Sequence, residues 1–179
     1  TLGDIFDAGA AGLAGIAATK PVVHVDTVLE GADLATALGA DAANTFRIVR
    51  GTITGPRVVD SDDPGALLAR DASGKVALNG TTTFPFTLVI PSSVASASAS
   101  SAPNGAPVVC YGHGFFGDKK ELEGAAPRAI MDHAGVVAIA IDWQGMSVDD
   151  ISTVITDLGG DVSQTALLGD RVMQAMVNW

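Results

Sequence analysis

The chain has 179 residues, of which 47% are hydrophobic and 17% charged, so it can bury a core of ordinary size and does not have the composition of a disordered protein. Against 10 Lys and Arg it carries 20 Asp and Glu. The resulting net charge of −10 repels phosphate backbones and anionic lipids, which argues against nucleic acid or a membrane surface as the main partner.

The first 104 residues are expected to be rich in β-structure after an initial helix. Apolar residues at near-helical spacing among alanines predict a helix over residues 1–20. "PVVHVDTVLEG" (21–31) and "FRIVRGTITG" (46–55) alternate in polarity, which predicts half-buried antiparallel strands. "TTTFPFTLVIP" (81–91) predicts a third strand, in which Pro85 marks an edge or a bulge.

The pattern changes after a Ser/Ala-rich segment, residues 92–107, which is interpreted as a flexible loop. "PVVCYG" (107–112) and "GVVAIAIDW" (135–143) are continuously apolar strands, as expected for strands buried on both faces of a parallel sheet. A helix over 119–133 connects them into a βαβ unit. Its inner face is predicted to carry Leu122, Ala126, Ile130 and Met131. Two further helices, "SVDDISTVITDL" and "QTALLGDRVMQAMVNW", follow, and the second is predicted to turn Leu167, Leu168, Val172, Met176 and Val177 toward a core.

These patterns divide the chain into an N-terminal helix (1–20), a β-rich region (21–104) and a parallel α/β region (105–179). Cys110 is the only cysteine, so no disulfide forms within the chain, and its apolar neighbours predict a small buried side chain. "AGAAGLAGIAAT" (8–19) is too short and too alanine-rich to span a bilayer. A signal peptide, if the protein has one, is expected to have been removed.

A Gly-His-Gly turn follows the strand at 107–112. Gly112, Gly114 and Gly117 allow a sharp bend that brings backbone N–H groups close to an anion or a developing oxyanion at the carboxyl edge of the sheet. A phosphate site is disfavoured because the turn lacks a Gly-Lys-Ser/Thr ending and because Phe115 and Phe116 would obstruct a pyrophosphate. A tight turn containing a hydrogen-bonded core histidine is the plainer alternative.

"VVCYGHGFFG" resembles the third strand and the oxyanion loop of the α/β-hydrolase superfamily, in the lipase and esterase branch with a His-Gly-x-x-Gly loop. "PFTLVIPSS", "YGHGFFGDKKE" and "IAIDWQGMSVDD", in that order, resemble large bacterial secreted lipase/esterase-like proteins. The likeness covers roughly residues 20–179, with its motifs in 84–179. It implies an α/β fold in which a β-rich N-terminal region precedes the first part of an incomplete parallel hydrolase sheet, and a location outside the cytoplasm.

The resemblance also assigns roles to individual residues. The backbone N–H of Phe115 would donate to the tetrahedral oxyanion, and His113 and Gly114 would form the oxyanion loop, with His113 bracing it and not acting as the general base. Phe116 and Trp143 are assigned to substrate binding. The substrate would be an ester or a lipid-like molecule.

Ser147 lies in a Gly-x-Ser sequence, but a nucleophile elbow needs Gly-x-Ser-x-Gly and Asp149 occupies the place of the second glycine. Asp150 stands three residues after Ser147 at the start of an apolar-periodic run, which predicts a capping box. Ser147 is therefore interpreted as a helix N-cap. Asp142, at the end of the second apolar strand, is interpreted as a turn cap.

No metal or cofactor is expected. "DSDDPG" (60–65) lacks the spacing of an EF-hand loop and is interpreted as a solvated turn. His24 and His133 are far apart in sequence and have no Cys or Glu at ligand spacing.

The sequence contains no Gly-x-Ser-x-Gly, so the chain is interpreted as the N-terminal part of a hydrolase, inactive alone, with its nucleophile elsewhere. An incomplete sheet would leave an unpaired edge on the strand at 108–111, which predicts a partner. That partner is the remainder of the same protein or a second chain, and a homo-oligomer is one form that the second option takes. Two other functions stay open: a non-catalytic binding or structural module on a degenerate hydrolase fold, and a domain that binds a small anion at 112–117.

Overall fold

A computed structural model of the chain describes residues 2–19, 22–97, 105–160 and 165–179. Within these residues the sheet runs in the order β1-β2-β3-β5-β4. Its strands are β1 (Val23–Glu30), β2 (Thr45–Pro56), β3 (Thr81–Pro91), β4 (Val108–Tyr111) and β5 (Val137–Ile141). The pairs β1/β2, β2/β3 and β3/β5 are antiparallel, whereas β4 and β5 are parallel. This mixed sheet with its helices belongs to the α/β class.

Helices precede, connect and follow these strands. The initial helix and the helical character of the C-terminal region agree with the predictions from apolar spacing. The described α-helices are α1 (Leu2–Thr19), α2 (Gly31–Leu38), α3 (Ser92–Ser96), α4 (Ala125–Ala134), α5 (Ile151–Gly160) and α6 (Thr165–Asn178). The βαβ unit is confirmed, because α4 connects β4 to a parallel β5 in which Val108 is paired with Val137.

Side chains on the two faces of the sheet form separate apolar clusters, as alternation along the strands requires. One face contributes Ile48, Val89, Ala138 and Ala140, which pack with Leu34 of α2 and with Leu122, Leu38 and Met131. The opposite face contributes Phe84, Phe86 and Ile141. A third cluster joins α1 and α6 to the segment 57–80 through Ile5, Val177, Val58 and Val76.

The antiparallel and parallel regions form one continuous sheet, because β3 pairs with β5 from Phe86↔Ile141 to Val89↔Ala138. Arg50 on β2 donates from Nε to Glu123 at 2.8 Å, and Thr87 on β3 donates to the same carboxylate at 3.1 Å. The hydrogen bond that Arg50 donates to Glu123 raises the pKa of Arg50 above its ordinary value, and desolvation opposes this rise. The segment that precedes α4 is thereby fastened to the middle of the sheet.

Three expectations about burial are wrong. Strand β1 is exposed along nearly its whole length, since it stands at one end of the sheet and only Leu29 packs against a core cluster. Strand β4 stands at the other end, so it is not buried on both faces, and Val108 is 62% exposed. Cys110 is likewise exposed and is not the buried hydrophobe that its apolar neighbours predicted.

Pro85 lies in a part of β3 that has a partner strand on one side only, which agrees with the predicted edge position, and the register shows no bulge there. It is in register with Thr52 of β2, inside the central strand β3. The missing N–H is tolerated because pairing of β3 with β5 begins only at Phe86. The Ser/Ala-rich segment is not a loop throughout, since Ser92–Ser96 forms helix α3, and residues 98–104 lie outside the described part of the chain.

The helix predicted over 119–133 is divided at Gly124, whose extended backbone separates a 3₁₀ turn at Lys119–Glu123 from α4. This break shifts the helical phase. Leu122 is buried and Met131 partly buried, as expected, but Ala126 and Ile130 are exposed and Arg128 is buried in their place. Arg128 fits there because it donates to the Glu123 and Asp41 carbonyls and to Thr45 Oγ1.

The inner face of α6 is more polar than its apolar residues suggested. Val177 is buried and Met176 is exposed, while Arg171 and Gln174 are buried because they hydrogen-bond to neighbouring elements. Leu167, Leu168 and Val172 are partly buried. No helix in the described ranges is both long and apolar enough to cross a membrane.

Candidate functional site

The candidate site is formed by two loops at the carboxyl ends of the parallel strands. The register Tyr111↔Ala140 brings the end of β4 beside the end of β5. The chain continues into residues 112–118, here called the His113 loop, and residues 142–147, here called the Trp143 loop. The loops extend the parallel pairing, because Phe116 N–H donates to the Met146 carbonyl at 2.7 Å and Val148 N–H donates to the Gly117 carbonyl at 2.9 Å.

His113 connects the two loops through both of its ring nitrogens. Nε2 accepts a hydrogen bond from the Trp143 backbone N–H at 2.8 Å. Because a backbone amide can only donate, Nε2 is unprotonated and Nδ1 carries the ring proton, which it donates to the Gly114 carbonyl at 2.7 Å. With both nitrogens engaged, the imidazole is held as a structural brace within the loop.

The direction of the Phe115 amide follows from the contacts of the carbonyl before it. The Gly114 carbonyl accepts from His113 Nδ1 and, at 2.9 Å, from the Gly117 N–H. The described peptide bonds are trans, so Gly114 C=O and Phe115 N–H point in opposite directions. The Phe115 N–H is therefore turned outward from the bend, and nothing in the described part of the chain accepts a hydrogen bond from it.

Phe116 is held in a strained conformation. Its φ of 62° is the sole positive value at a non-glycine residue in the described chain, and a left-handed conformation of this kind costs about 1–3 kcal/mol. The hydrogen bond to Met146 and the contact with the Phe115 ring, at 4.2 Å between centroids, maintain it. Backbone strain of this type is concentrated at functional sites. Phe115 itself is 63% exposed, whereas Phe116 is half-buried.

Glu121 is a site residue that the sequence reasoning missed. Its Oε2 accepts the Gly114 N–H at 3.0 Å, so a carboxylate lies against the inside of the His113 loop. Asp118-x-x-Glu121 has the spacing of a capping box, and Asp118 does cap the 3₁₀ turn by accepting the Lys120 N–H at 2.7 Å. The spacing could have drawn attention to Glu121. A capping box would place its carboxylate on the Asp118 N–H, however, and in the structure the carboxylate binds the Gly114 N–H instead.

Asp142 caps the turn on the other side of the loop, as predicted. Its Oδ1 accepts the Lys119 N–H at 2.7 Å and its Oδ2 pairs with Lys119 Nζ at 2.8 Å. Both side chains are largely buried, with 12% of Asp142 and 17% of Lys119 exposed. This pair fastens the end of the His113 loop to the start of the Trp143 loop.

Ser147 is confirmed as an N-cap. It forms a reciprocal capping box with Asp150, whose Oδ2 accepts Ser147 Oγ at 2.6 Å and the Gly145 N–H at 2.8 Å. The other Asp150 oxygen pairs with Arg171 of α6 at 3.3 Å, and both side chains are buried. Arg171 Nε has no hydrogen-bond partner in the described chain. The Ser147 hydroxyl is buried and donates its hydrogen bond to Asp150, so it is not an exposed nucleophile.

An open apolar pocket of about 310 Å³ adjoins the two loops, Cys110 of β4 and the end of α6. The rings of Trp143 and Trp179 lie 6.3 Å apart and tilted. The assignment of Phe116 and Trp143 to substrate binding stays a prediction, but Trp143 does line this pocket. The lining residues are Cys110, Gly112, Trp143, Met176 and Trp179.

The other sequence candidates lie elsewhere. His24 is exposed on β1 beside Asp26, and His133 lies in the last turn of α4. Asp60 accepts the Leu67 N–H in the turn that follows β2. Among the described residues, no group of three or more His, Cys, Asp or Glu is arranged to hold a metal ion.

Comparison with known proteins gives little. No family model matches the chain, and no curated protein matches it. Among solved structures, the rice cell wall degrading esterase LipA from Xanthomonas oryzae aligns at 11% identity with a TM-score of 0.30, and a point mutant of it aligns with a TM-score of 0.31. The alignment covers 77% of this chain and 38% of the esterase. A likeness this distant carries no argument about fold or function.

Proposed function

We propose that this chain supplies the oxyanion loop of a carboxylic ester hydrolase of the α/β-hydrolase superfamily, with the Phe115 backbone N–H as one donor. The observation that carries the proposal is the outward, unengaged Phe115 amide, held by the two hydrogen bonds to the Gly114 carbonyl at the carboxyl edge of two parallel strands. A preorganised donor of this kind is what an oxyanion site requires, since it needs no reorganisation as charge develops.

The proposed chemistry is acyl transfer through a serine located outside these residues. The serine hydroxyl adds to the ester carbonyl carbon and gives its proton to a general base. The carbonyl oxygen becomes an oxyanion, which the Phe115 N–H stabilises. Collapse of this intermediate expels the alkoxide, which takes the proton, and water then releases the acid by the same two steps. His113 is excluded as the base because both ring nitrogens already bind backbone groups.

The partner is proposed to be polypeptide that adds a strand to the free side of β4. A nucleophile elbow follows a strand and presents its serine at the carboxyl edge of the sheet, so a strand beside β4 would bring that serine to the Phe115 amide. The position of β4 at one end of the described sheet supports this placement, and the exposed Val108 and Cys110 and the apolar pocket beside Cys110 leave apolar surface that the added polypeptide could cover. An ester-bearing or lipid-like substrate would then lie between the two elements.

The test is a matched pair of substitutions in the protein expressed from its complete coding region, assayed with p-nitrophenyl esters. Phe115→Pro and Phe115→Ala both remove the phenyl ring, but only proline deletes the N–H. We expect Phe115→Pro to lower kcat about 100- to 1,000-fold relative to Phe115→Ala, as for other single oxyanion donors. Circular dichroism and thermal unfolding of both variants control for folding.

Equal kcat values for two folded variants would contradict the assignment of Phe115. A complete protein that neither turns over esters nor reacts with a serine-directed phosphonate would instead support the non-catalytic module.

A further inference from the structure

The carboxylate of Glu121 occupies the inside of the bend between Gly114 and Gly117. It accepts the Gly114 N–H at 3.0 Å. A methyl group added to Gly117 would lie 1.8 Å from Glu121 Oε1, whereas one added to Gly114 would lie 3.6 Å from the same atom. The approach to residue 117 is therefore so close that a side chain there would displace the carboxylate, and glycine is required for the contact.

This contact completes the restraint of Gly114. Glycine has the widest range of φ and ψ, so the peptide groups before and after it rotate freely unless both are held. The group that follows Gly114 is held at its carbonyl by His113 and Gly117. The group that precedes it is held at its N–H by Glu121 alone among the described residues. The direction of the Phe115 N–H depends on the φ and ψ angles of Gly114. Both angles are fixed only when the Glu121 carboxylate binds the Gly114 N–H.

We propose that Glu121 is a positioning residue of the His113 loop, acting through the Gly114 amide to aim the Phe115 N–H; this inference rests on the function proposed above. Glu121 does not touch the substrate in this role. By engaging the Gly114 N–H it also removes a second nearby donor, so that a developing oxyanion is directed to Phe115. Glu121 acts in this role as a hydrogen-bond acceptor and not through its charge, because the contact is the hydrogen bond to Oε2.

The first experiment follows the Gly114 amide itself by NMR, in the complete protein with isotope-labelled glycine. Glu121→Ala should speed hydrogen exchange of the Gly114 N–H about tenfold, because its acceptor is lost. Glu121→Gln keeps an acceptor oxygen at the same position and should keep most of the protection. Gly117→Ala should reproduce the effect of Glu121→Ala by displacing the carboxylate. Lys120→Gln, which changes charge at an exposed neighbour, should leave Gly114 unchanged.

The second experiment measures ester hydrolysis. Glu121→Ala should lower kcat about tenfold with KM nearly unchanged, since the loss concerns the transition state. Glu121→Gln should restore kcat to within about threefold of the parent protein. If Glu121 had only a structural role, Glu121→Ala would lower stability without lowering kcat selectively over KM, and Glu121→Gln would not restore kcat.

The outcomes separate the two proposals. If Glu121→Ala leaves kcat and the Gly114 exchange rate unchanged while Phe115→Pro abolishes turnover, the positioning role is wrong and the oxyanion assignment stands. If glutamine is as damaging as alanine, the acceptor role is wrong. If Phe115→Pro and Phe115→Ala are equally active, the proposed function fails, and the exchange rate of Gly114 still decides whether Glu121 restrains the loop.

Discussion

The imidazole Nε2 of His113 and the backbone N–H of Trp143 are joined by a hydrogen bond of 2.8 Å across a separation of 30 residues. The loops that follow the two parallel strands are thus coupled through a side chain as well as through backbone pairing. The orientation of the loop peptide groups depends on this coupling, because the same ring restrains the Gly114 carbonyl.

Replacing His113 by alanine should destabilise the protein. The substitution removes both ring hydrogen bonds and leaves the Trp143 N–H and the Gly114 carbonyl with fewer partners. We expect the free energy of unfolding in urea to fall by about 1–3 kcal/mol. His24→Ala is the matched control, since that side chain is 73% exposed and should change stability by less than about 0.5 kcal/mol. Equal effects would show that His113 is not a brace.

The sequence was sufficient to predict elements that depend on local pattern. Continuous apolar runs predicted β4 and β5, and the intervening helical period predicted their parallel βαβ connection. The capping box at Ser147 was predicted because its four residues are contiguous. In the site, the Gly-His-Gly turn could be placed at the strand end, and the outward Phe115 amide follows it directly, in the bend between Gly114 and Gly117.

What the sequence did not predict depends on contacts between distant segments. Cys110 has apolar neighbours, but its exposure is set by the position of β4 in the sheet order. Arg128 and Gln174 look like surface residues, yet each is buried because it binds backbone carbonyls from segments far along the chain. The carboxylate of Glu121 is placed by a turn beginning at Asp118 and by a missing Cβ at Gly117, which no periodicity indicates.

Gly145 should not tolerate a side chain. Its φ is +87°, and an added Cβ would lie 2.9 Å from the Leu168 carbonyl oxygen and 2.9 Å from Arg171 Cβ. Gly145→Ala should therefore lower the free energy of unfolding by about 1–3 kcal/mol through strain and through separation of α6 from the Trp143 loop. Gly169→Ala is the control, because nothing lies within 4 Å of its added Cβ. In the interior of α6 that alanine should stabilise by about 0.5–1 kcal/mol, and the same sign for both variants in thermal unfolding would contradict the prediction.

Ser147 should matter for stability and not for chemistry. Ser147→Ala removes the hydroxyl that donates to Asp150 at 2.6 Å and breaks the capping box. A loss of about 0.5–2 kcal/mol is expected in denaturant unfolding. Labelling of the complete protein by a serine-directed phosphonate should be unaffected, whereas loss of labelling would identify Ser147 as the nucleophile. Ser152→Ala, at an exposed position of α5, should alter neither measurement.

Gln174 is a buried polar link between α6 and the end of β2. It is fully buried; its Oε1 accepts the Val58 N–H at 2.7 Å, and its Nε2 donates to the Pro56 carbonyl at 2.9 Å. Gln174→Leu keeps a side chain of similar volume but leaves both buried backbone groups without a partner. A loss of about 2–4 kcal/mol is expected, since each orphaned group costs about 1–3 kcal/mol.

Gln144→Leu is the matched control for this prediction. Gln144 is half-buried, and its Oε1 accepts one long hydrogen bond, of 3.5 Å, from Asn178 Nδ2. A bond that long is weak, so the change in the free energy of unfolding should stay below about 1 kcal/mol. Because α6 carries Met176 and Trp179 to the pocket, Gln174→Leu should also increase the accessibility of Trp179 to an aqueous fluorescence quencher. If the two leucine variants unfold at the same urea concentration, the buried amide does not hold α6 in place, and the pocket wall must be fixed by apolar packing of Val177 with Ile5 and Val58.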